Sequence, residues 1–252
     1  MPPLELSIVM PAWNEEVHIE ACVAEWHDAV LSRLRGELVV VDDCSRDRTG
    51  ALLTALAGRY PDLRVFRTPR NSGHGAAVRL GLEQASGMWV FQTDSDRQHV
   101  PADISRLWEV RDGADFVFGA RASRADGRVR MLISRLLRTV NVVLWGRDIA
   151  DANCPFKLMR RDAMRAVLAE VPRGTFIPMV MVSVLARFRG YRVVDVPVPH
   201  FPRTGGEASL RGGVRWLSVG LRCVRELLAL RLAVLRRPSP AAGATGTMGA
   251  RD

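Results

Sequence analysis

The sequence is poor in aromatic residues, 6%, and its four cysteines fall in no Cys-x-x-Cys spacing. Cys22, Cys44, Cys154 and Cys223 are therefore expected as reduced thiols, which excludes a zinc site or a disulfide frame built on cysteine. No stretch approaches the roughly 18 uninterrupted apolar residues that would span a bilayer. The opening Met-Pro-Pro-Leu-Glu lacks the basic and then apolar pattern of a signal peptide, so the chain is expected in the cytoplasm. The glycine-bearing turn Asn71-Ser72-Gly73-His74-Gly75 lacks the Lys-Ser/Thr of a phosphate loop and the third glycine of a dinucleotide fingerprint. Acidic residues thin out along the chain. Residues 1–120 carry 12 Arg against 18 Asp plus Glu, a balance of −6, whereas residues 121–252 carry 24 Lys plus Arg against 9 acids, a balance of +15. A basic half of that kind suits phosphates, an anionic membrane surface or nucleic acid.

What is present is a regular alternation of strand-like and helix-like segments. Strands are expected over Leu6–Met10, Glu37–Val41, Leu63–Phe66, Met88–Phe91 and Phe116–Gly119. Helices follow the first four: one from Asn14 with Val17, Ile19, Cys22, Val23 and Trp26 on its apolar side, one carrying Leu52, Leu53 and Leu56, one carrying Val78, Leu80 and Leu82, and one opened by Pro101 with Ile104, Leu107 and Trp108. This pace predicts an α/β protein with a mainly parallel sheet and right-handed crossovers. Three strand ends carry polar clusters: Ala12 to Glu16, Asp42 to Ser45, and Thr93 to Gln98. The carboxyl edge of a parallel sheet is where ligands lie, so a nucleotide laid across it meets all three. Asp94 and Asp96, one residue apart at such an end, offer hard oxygens suited to Mg²⁺ or Mn²⁺. Asp at a helix start also serves as a cap, which is the bland reading of the pair.

Six segments in order, SIVMPAWNEE (Ser7–Glu16), VVVDDCSRDRTG (Val39–Gly50), NSGHGAAVRLGL (Asn71–Leu82), TDSDRQH (Thr93–His99), DANCPFKLMRRD (Asp151–Asp162) and VPVPHFPRTGGEAS (Val196–Ser209), resemble the family 2 glycosyltransferases, most closely their polyprenyl-phosphate branch. The resemblance spans roughly residues 6–212. It implies a glycosyltransferase A (GT-A) fold, a Rossmann-like mainly parallel sheet, with a nucleotide-sugar lying across the strand ends and its diphosphate held by a divalent metal.

Carried over residue by residue, the resemblance implies that Pro11, Ala12, Asn14 and Glu16 lie near the nucleotide and that Asp42 or Asp43 accepts hydrogen bonds from base or ribose. Gly73, Asp94, Ser95 and Asp96 would contact the donor, with Asp94, Asp96 and Gln98 as the metal set. His200 and Arg203 occupy the His-x-x-Arg position of a loop that closes over the diphosphate. Arg121, with Arg130 and Ser134 in the branch's Arg-x-x-x-Ser arrangement, would hold the acceptor phosphate; on a helix Arg130 and Ser134 are one turn apart on one face. Asp96, Asp151 and Arg203 are the candidates closest to the chemistry. Asp151 is the best acidic candidate for a base, although a phosphate acceptor is already anionic and attacks without one. The implied reaction is an inverting transfer from a GDP- or UDP-sugar to a polyprenyl-phosphate-like lipid.

Departures from the family pattern are His74 in place of a common Lys, Cys154-Pro155-Phe156-Lys157 in place of Ser/Thr-Gly-Phe-Arg, Met181 where many relatives have Glu, and a loop Gly205–Ser209 one residue longer than usual. The rival readings are the same fold acting on a soluble hydroxyl acceptor, and a non-enzymatic basic module binding lipid or nucleic acid. The latter leaves the acidic strand ends unexplained, so no nucleic-acid partner is expected. Residues 1–212 are expected as the catalytic domain and 213–237 as a basic amphipathic helix. There Val214, Leu217, Leu221, Val224, Leu228, Leu232 and Leu235 recur at helical spacing, for docking either to an anionic membrane or to the helix's own domain or a dimer partner. Residues 238–252 are expected to be disordered.

Overall fold

A computed structural model describes residues 3–121, 138–146, 149, 151–201 and 213–236, with side chains in the last segment from Ser218 onward. Seven strands form one sheet: β1 (Leu6–Ala12), β2 (Gly36–Asp42), β3 (Leu63–Arg67), β4 (Trp89–Gln92), β5 (Phe116–Arg121), β6 (Lys157–Arg160) and β7 (Val193–Val198). The helices are α1 (Ile19–Trp26), α2 (Thr49–Ala57), α3 (His74–Gln84), α4 (Ile104–Trp108), α5 (138–145), α6 (Arg161–Glu170), α7 (Pro178–Phe188) and α8 (Gly213–Arg236).

The sheet order is β3-β2-β1-β4-β6-β5-β7. β1 to β4 pair in parallel, β6 runs antiparallel to both β4 and β5, and β7 is parallel to β5. Every strand except β6 therefore ends on one edge, and β6 begins there. The chain passes from β1 outward to β2 and β3 and then returns to place β4 on the other side of β1. That reversal opens a crevice at the carboxyl ends of β1 and β4, the place where open α/β sheets bind ligands.

The strands are buried on both faces because helices cover both. All seven residues of β1 are buried, as a central parallel strand requires. Alternation divides them: Leu6, Ile8, Met10 and Ala12 join one apolar cluster with α1, α2 and α4, while Val9 joins the other with α3, α5, α6, α7 and α8. Pro11 continues β1 rather than ending it. Val9 turns its carbonyl toward β4, where Thr93 N donates to it at 3.0 Å; Pro11 shares that orientation beyond the last β1–β4 pairing, at Val9↔Gln92. Its missing N–H is thus lost where no ladder bond exists.

Two further expectations are corrected. The first helix begins at Ile19, not Asn14, and Val17 is exposed; residues 13–18 serve instead as a loop. In α8 the apolar residues that pack on the core are Cys223, Leu227, Leu230 and Val234. Of the stripe expected from helical spacing, Leu221, Leu228, Leu232 and Leu235 are exposed. The helix therefore packs on its own domain through one face while carrying leucines on another.

Candidate active site

The loops after β1 and β2 are sewn together before any ligand is considered. Asn14 N donates to Ser45 Oγ at 3.0 Å, Asn14 Oδ1 accepts from Arg46 N at 2.9 Å, and Glu15 N donates to Thr49 Oγ1 at 2.8 Å. Glu16 N donates to Asp47 Oδ2 at 3.1 Å, and Glu16 Oε2 accepts from Arg48 N at 3.0 Å. Among the described residues the three non-glycine positions with left-handed backbone, Asn14, Cys44 and Arg97, all lie in loops on this edge. Asn accepts that conformation readily; Cys and Arg do so at some cost, of the kind that collects at functional loops.

Asp42 and Asp43, expected at the base or ribose, are both buried and both engaged. Asp42 Oδ1 accepts from Ser45 N at 2.9 Å, and Oδ2 lies 3.2 Å from Arg67 Nη1. Asp43 accepts from Thr68 Oγ1 at 2.8 Å, Ser72 N at 2.9 Å and Gly73 N at 2.7 Å. Asp43 thus fixes the turn that leads into α3, with Gly73 as the α3 N-cap at φ 88°. The first helical residue, His74, then reaches the acidic pair.

His74 Nε2 lies 3.1 Å from Asp94 Oδ1, and Gln92 Nε2 donates to the same oxygen at 3.3 Å. Burial in the cleft works against protonation of His74, but Asp94 first, then Asp96 and Asp43, outweigh it and hold the imidazole above its ordinary range. Asp96 Oδ1 accepts from Gln98 N at 3.2 Å. The Gln98 side chain donates to Phe201 O at 3.1 Å, and Phe201 N returns a bond to Gln98 O at 2.9 Å. The segment after β7 is thereby docked on the acidic loop, with the His200 ring 5.3 Å from His99. Burial, followed by the neighbouring His200, lowers His99 to about 4, so it is neutral at physiological pH.

The donor chemistry fits a hard divalent cation. Asp94 and Asp96 supply carboxylate oxygens, Gln98 has an amide oxygen left after its bond to Phe201, and Gln92 Oε1 is buried without a hydrogen-bond partner among the described residues. No three His, Cys, Asp or Glu side chains gather there among the described residues. Mg²⁺ and Mn²⁺ do not require such a cage, since they bind through one or two carboxylates and complete their shell with water and substrate phosphates.

On the far side of the crevice Arg121 and Asp151 form a buried bidentate pair, Nε to Oδ2 at 2.6 Å and Nη2 to Oδ1 at 2.9 Å. The arginine expected to hold an acceptor phosphate and the carboxylate expected as a base are each other's partners. Lys157, at the start of β6, is 0% exposed, and its Nζ has no hydrogen-bond partner among the described residues. It sits 4.7 Å over the Phe118 ring, and burial lowers it to about 8. Met181 is buried in the core of α7. Arg130, Ser134 and Arg203 lie outside the described residues, as does the tail from 237.

In the sequence His74 reads only as a replacement, and no pattern singles out Gln92 or Arg67. The signal for His74 was available in its place at a helix start following a glycine; that for Arg67 was not, because it acts through Asp42 on the neighbouring strand, and that for Gln92 was not, because alternation along β4 does not show its amide turning to Asp94.

Residues 7–168 match the sequence family described as Glycosyl transferase family 2. The undecaprenyl-phosphate 4-deoxy-4-formamido-L-arabinose transferase of Pseudomonas aeruginosa (strain LESB58) is 36% identical over 210 residues, covering 82% of this chain and 60% of that protein. The Yersinia pestis (strain Pestoides F) protein of the same name is 32% identical over 211 residues, covering 82% and 63%. The chain thus spans about three-fifths of the length of these curated relatives. Among solved structures, glucosyl-3-phosphoglycerate synthase from Mycobacterium tuberculosis with phosphoglyceric acid superposes with a TM-score of 0.64 at 22% identity, covering 97% of this chain and 85% of that one. The same synthase with Mn²⁺, UDP and glucosyl-3-phosphoglycerate gives 0.64 at 21%, covering 96% and 83%. At these identities the likeness is one of fold, the GT-A arrangement of a mostly parallel sheet flanked by helices.

Proposed function

Because the chain belongs to glycosyltransferase family 2, we propose that it moves a sugar, with inversion, from a GDP- or UDP-sugar to a polyprenyl-phosphate-like lipid at the cytoplasmic face of a membrane. The observation that carries this reading is the acidic pair at the end of β4, braced by His74, Gln92 and Gln98 at the sheet's reversal point. A nucleoside diphosphate is a poor leaving group until its charge is met, and a Mg²⁺ or Mn²⁺ ion on Asp94, Asp96 and Gln98 would supply that. Pro11, Ala12, Asn14, Glu16, Asp42, Asp43, Gly73 and Ser95 form the donor's wall in this reading, with His200 and Arg203 covering the diphosphate and Arg121, Arg130 and Ser134 on the acceptor side. The relatives in Pseudomonas aeruginosa and Yersinia pestis are named for an undecaprenyl-phosphate acceptor.

The Arg121–Asp151 pair favours an anionic acceptor over a hydroxyl. With both oxygens held by the guanidinium, Asp151 is not arranged to take a proton, and a phosphate oxygen needs none removed. Asp151 then acts by fixing Arg121 and the loop around it. Attachment to the membrane is through the surface in this reading. None of the described helices is long and apolar enough to cross a bilayer, whereas the exposed leucines of α8 border Arg225 and Arg236.

The test is transfer of labelled sugar to a short-chain polyprenyl phosphate with Mn²⁺ or Mg²⁺, across GDP- and UDP-sugars. Asp96→Ala is expected to lower kcat/KM by about a hundredfold or more, and a chelator should abolish turnover. Full activity in either case removes the metal role of the pair.

A further inference from the structure

Arg97 stands between Asp96 and Gln98, and its backbone is left-handed, with φ 57°. In a residue other than Gly, Asn or Asp that conformation crowds the Cβ against the backbone, and nothing in an arginine side chain offsets the crowding locally. The turn is held from outside the loop. Arg97 Nε donates to Glu25 Oε2 at 3.2 Å, and Arg97 Nη2 donates to Glu25 Oε1. Both carboxylate oxygens are thus taken by one guanidinium, a fork that fixes orientation as well as distance.

Glu25 is carried by a rigid element. It lies in the last turn of α1 beside Trp26, whose buried ring packs 5.3 Å from that of Phe91 in β4. The helix therefore rests on the same strand that ends in the acidic loop, so the core sets the distance from Glu25 to that loop. After Arg97 the chain turns back. Gln98 N reaches Asp96 Oδ1 at 3.2 Å, and the Gln98 side chain is sent to Phe201 O at 3.1 Å. The residues on either side of Arg97 are the two that must converge if one cation is to meet both. The fork has a second effect, because Arg97 is the cation next to Asp96 in the chain. With Glu25 as its partner, it leaves the charge of the acidic pair for another ion.

We propose that Glu25 and Arg97 are positioning residues for the divalent cation: their ion pair holds the left-handed turn that brings Asp96 and Gln98 together and keeps the guanidinium off the carboxylates. This rests on the reading of Asp94, Asp96 and Gln98 as the cation's ligands. Neither Glu25 nor Arg97 is itself a ligand. The side chains are 37% and 39% exposed, so the pair adds little to overall stability. Its effect falls on ligand placement, where outer partners change metal affinity by about 10–100-fold.

The experiment titrates the full chain with Mn²⁺ at a fixed concentration of UDP, reading free Mn²⁺ by its EPR signal and correcting for Mn²⁺ held by UDP alone. The variants are Arg97→Leu, Arg97→Gly, Glu25→Gln, Glu25→Gln combined with Arg97→Gly, and Asp96→Ala, each also unfolded in urea. Arg97→Leu and Glu25→Gln are expected to weaken Mn²⁺ by about tenfold, with unfolding midpoints close to the parent's. Arg97→Gly should bind more tightly than Arg97→Leu, because glycine takes up the left-handed turn without the fork. In that background Glu25→Gln should weaken binding no further. Affinity equal to the parent's in Arg97→Leu and Glu25→Gln, with binding lost in Asp96→Ala, overturns the inference and leaves the metal reading standing. Affinity equal to the parent's in Asp96→Ala removes the metal reading and the inference with it. Affinity that falls only in step with the unfolding midpoint also overturns the positioning role, since general loosening of the fold then accounts for the loss.

Discussion

Lys157 is the chain's one lysine, fully buried beside the Phe118 ring without a hydrogen-bond partner among the described residues. Its folded value of about 8 lies below the ordinary 10.5. Between those values the unfolded chain holds the extra proton, so this residue's contribution to stability rises with pH through that window; below about 8 its full cost, on the order of 3 kcal/mol, is present. The buried thiols Cys22 and Cys154, pushed up to about 12 by burial, pull the other way above their ordinary 9.0. Lys157→Met is therefore expected to be more stable than the parent near pH 7, with an advantage that shrinks by about pH 9. Urea denaturation at the two values checks it, and a gap independent of pH would refute a titrating lysine. For the Arg121–Asp151 pair, Arg121→Met alone should cost about 3–5 kcal/mol by taking the guanidinium from a buried carboxylate. Arg121→Met with Asp151→Leu should recover most of that, as read by the same denaturation. Asp94 and Asp96 were legible in the sequence because their position after an apolar run already places them on a sheet edge. The pairing of Arg121 with Asp151 was not, since it joins residues 30 apart through a loop that spacing does not describe.

At the scale of elements, close packing decides where the site lies. α3 rides on β1 and β2 through Gly81, where a Cβ would come 2.4 Å from Val9 Cγ1 and 3.3 Å from Val41 Cγ2. Gly81→Ala should destabilise by about 1–3 kcal/mol through overpacking, measured by thermal or urea unfolding. By displacing the helix that carries His74 it should also weaken Mn²⁺ affinity. Strands β1 to β5 were readable from their apolar runs. β6 and its antiparallel direction were not, because its pairing is fixed by how the preceding excursion returns. α8 shows the limit of periodicity: it has two apolar stripes at helical spacing, and only the packed structure tells which of them is core.

For the whole molecule, two apolar layers on either side of one sheet leave the carboxyl edge, with its polar loops, as the candidate surface for ligands. That architecture followed from the alternation of elements, whereas the face that α8 leaves exposed did not, because it depends on where the helix lands. Exposed leucines there predict a separable property. Leu228→Glu with Leu232→Glu should leave the unfolding transition nearly unchanged, since both side chains are exposed. The same variant should weaken co-sedimentation with anionic vesicles by about tenfold or more. Equal sedimentation of variant and parent would remove the membrane role of this helix.

The connection of residues 122–156 has both its ends, the close of β5 and the start of β6, at the same edge of the sheet. Its two ends are clamped at their base by Gly119 N donating to Phe156 O at 2.7 Å and by Arg121 holding Asp151. Closing a longer or shorter loop between fixed ends changes its entropy only slowly with length. In the reading proposed above this connection faces the acceptor, so it can be lengthened, shortened or exchanged as a cassette while the strand ends that would hold the donor stay as they are: a scaffold of this kind would change what it glycosylates without rebuilding how it holds the sugar.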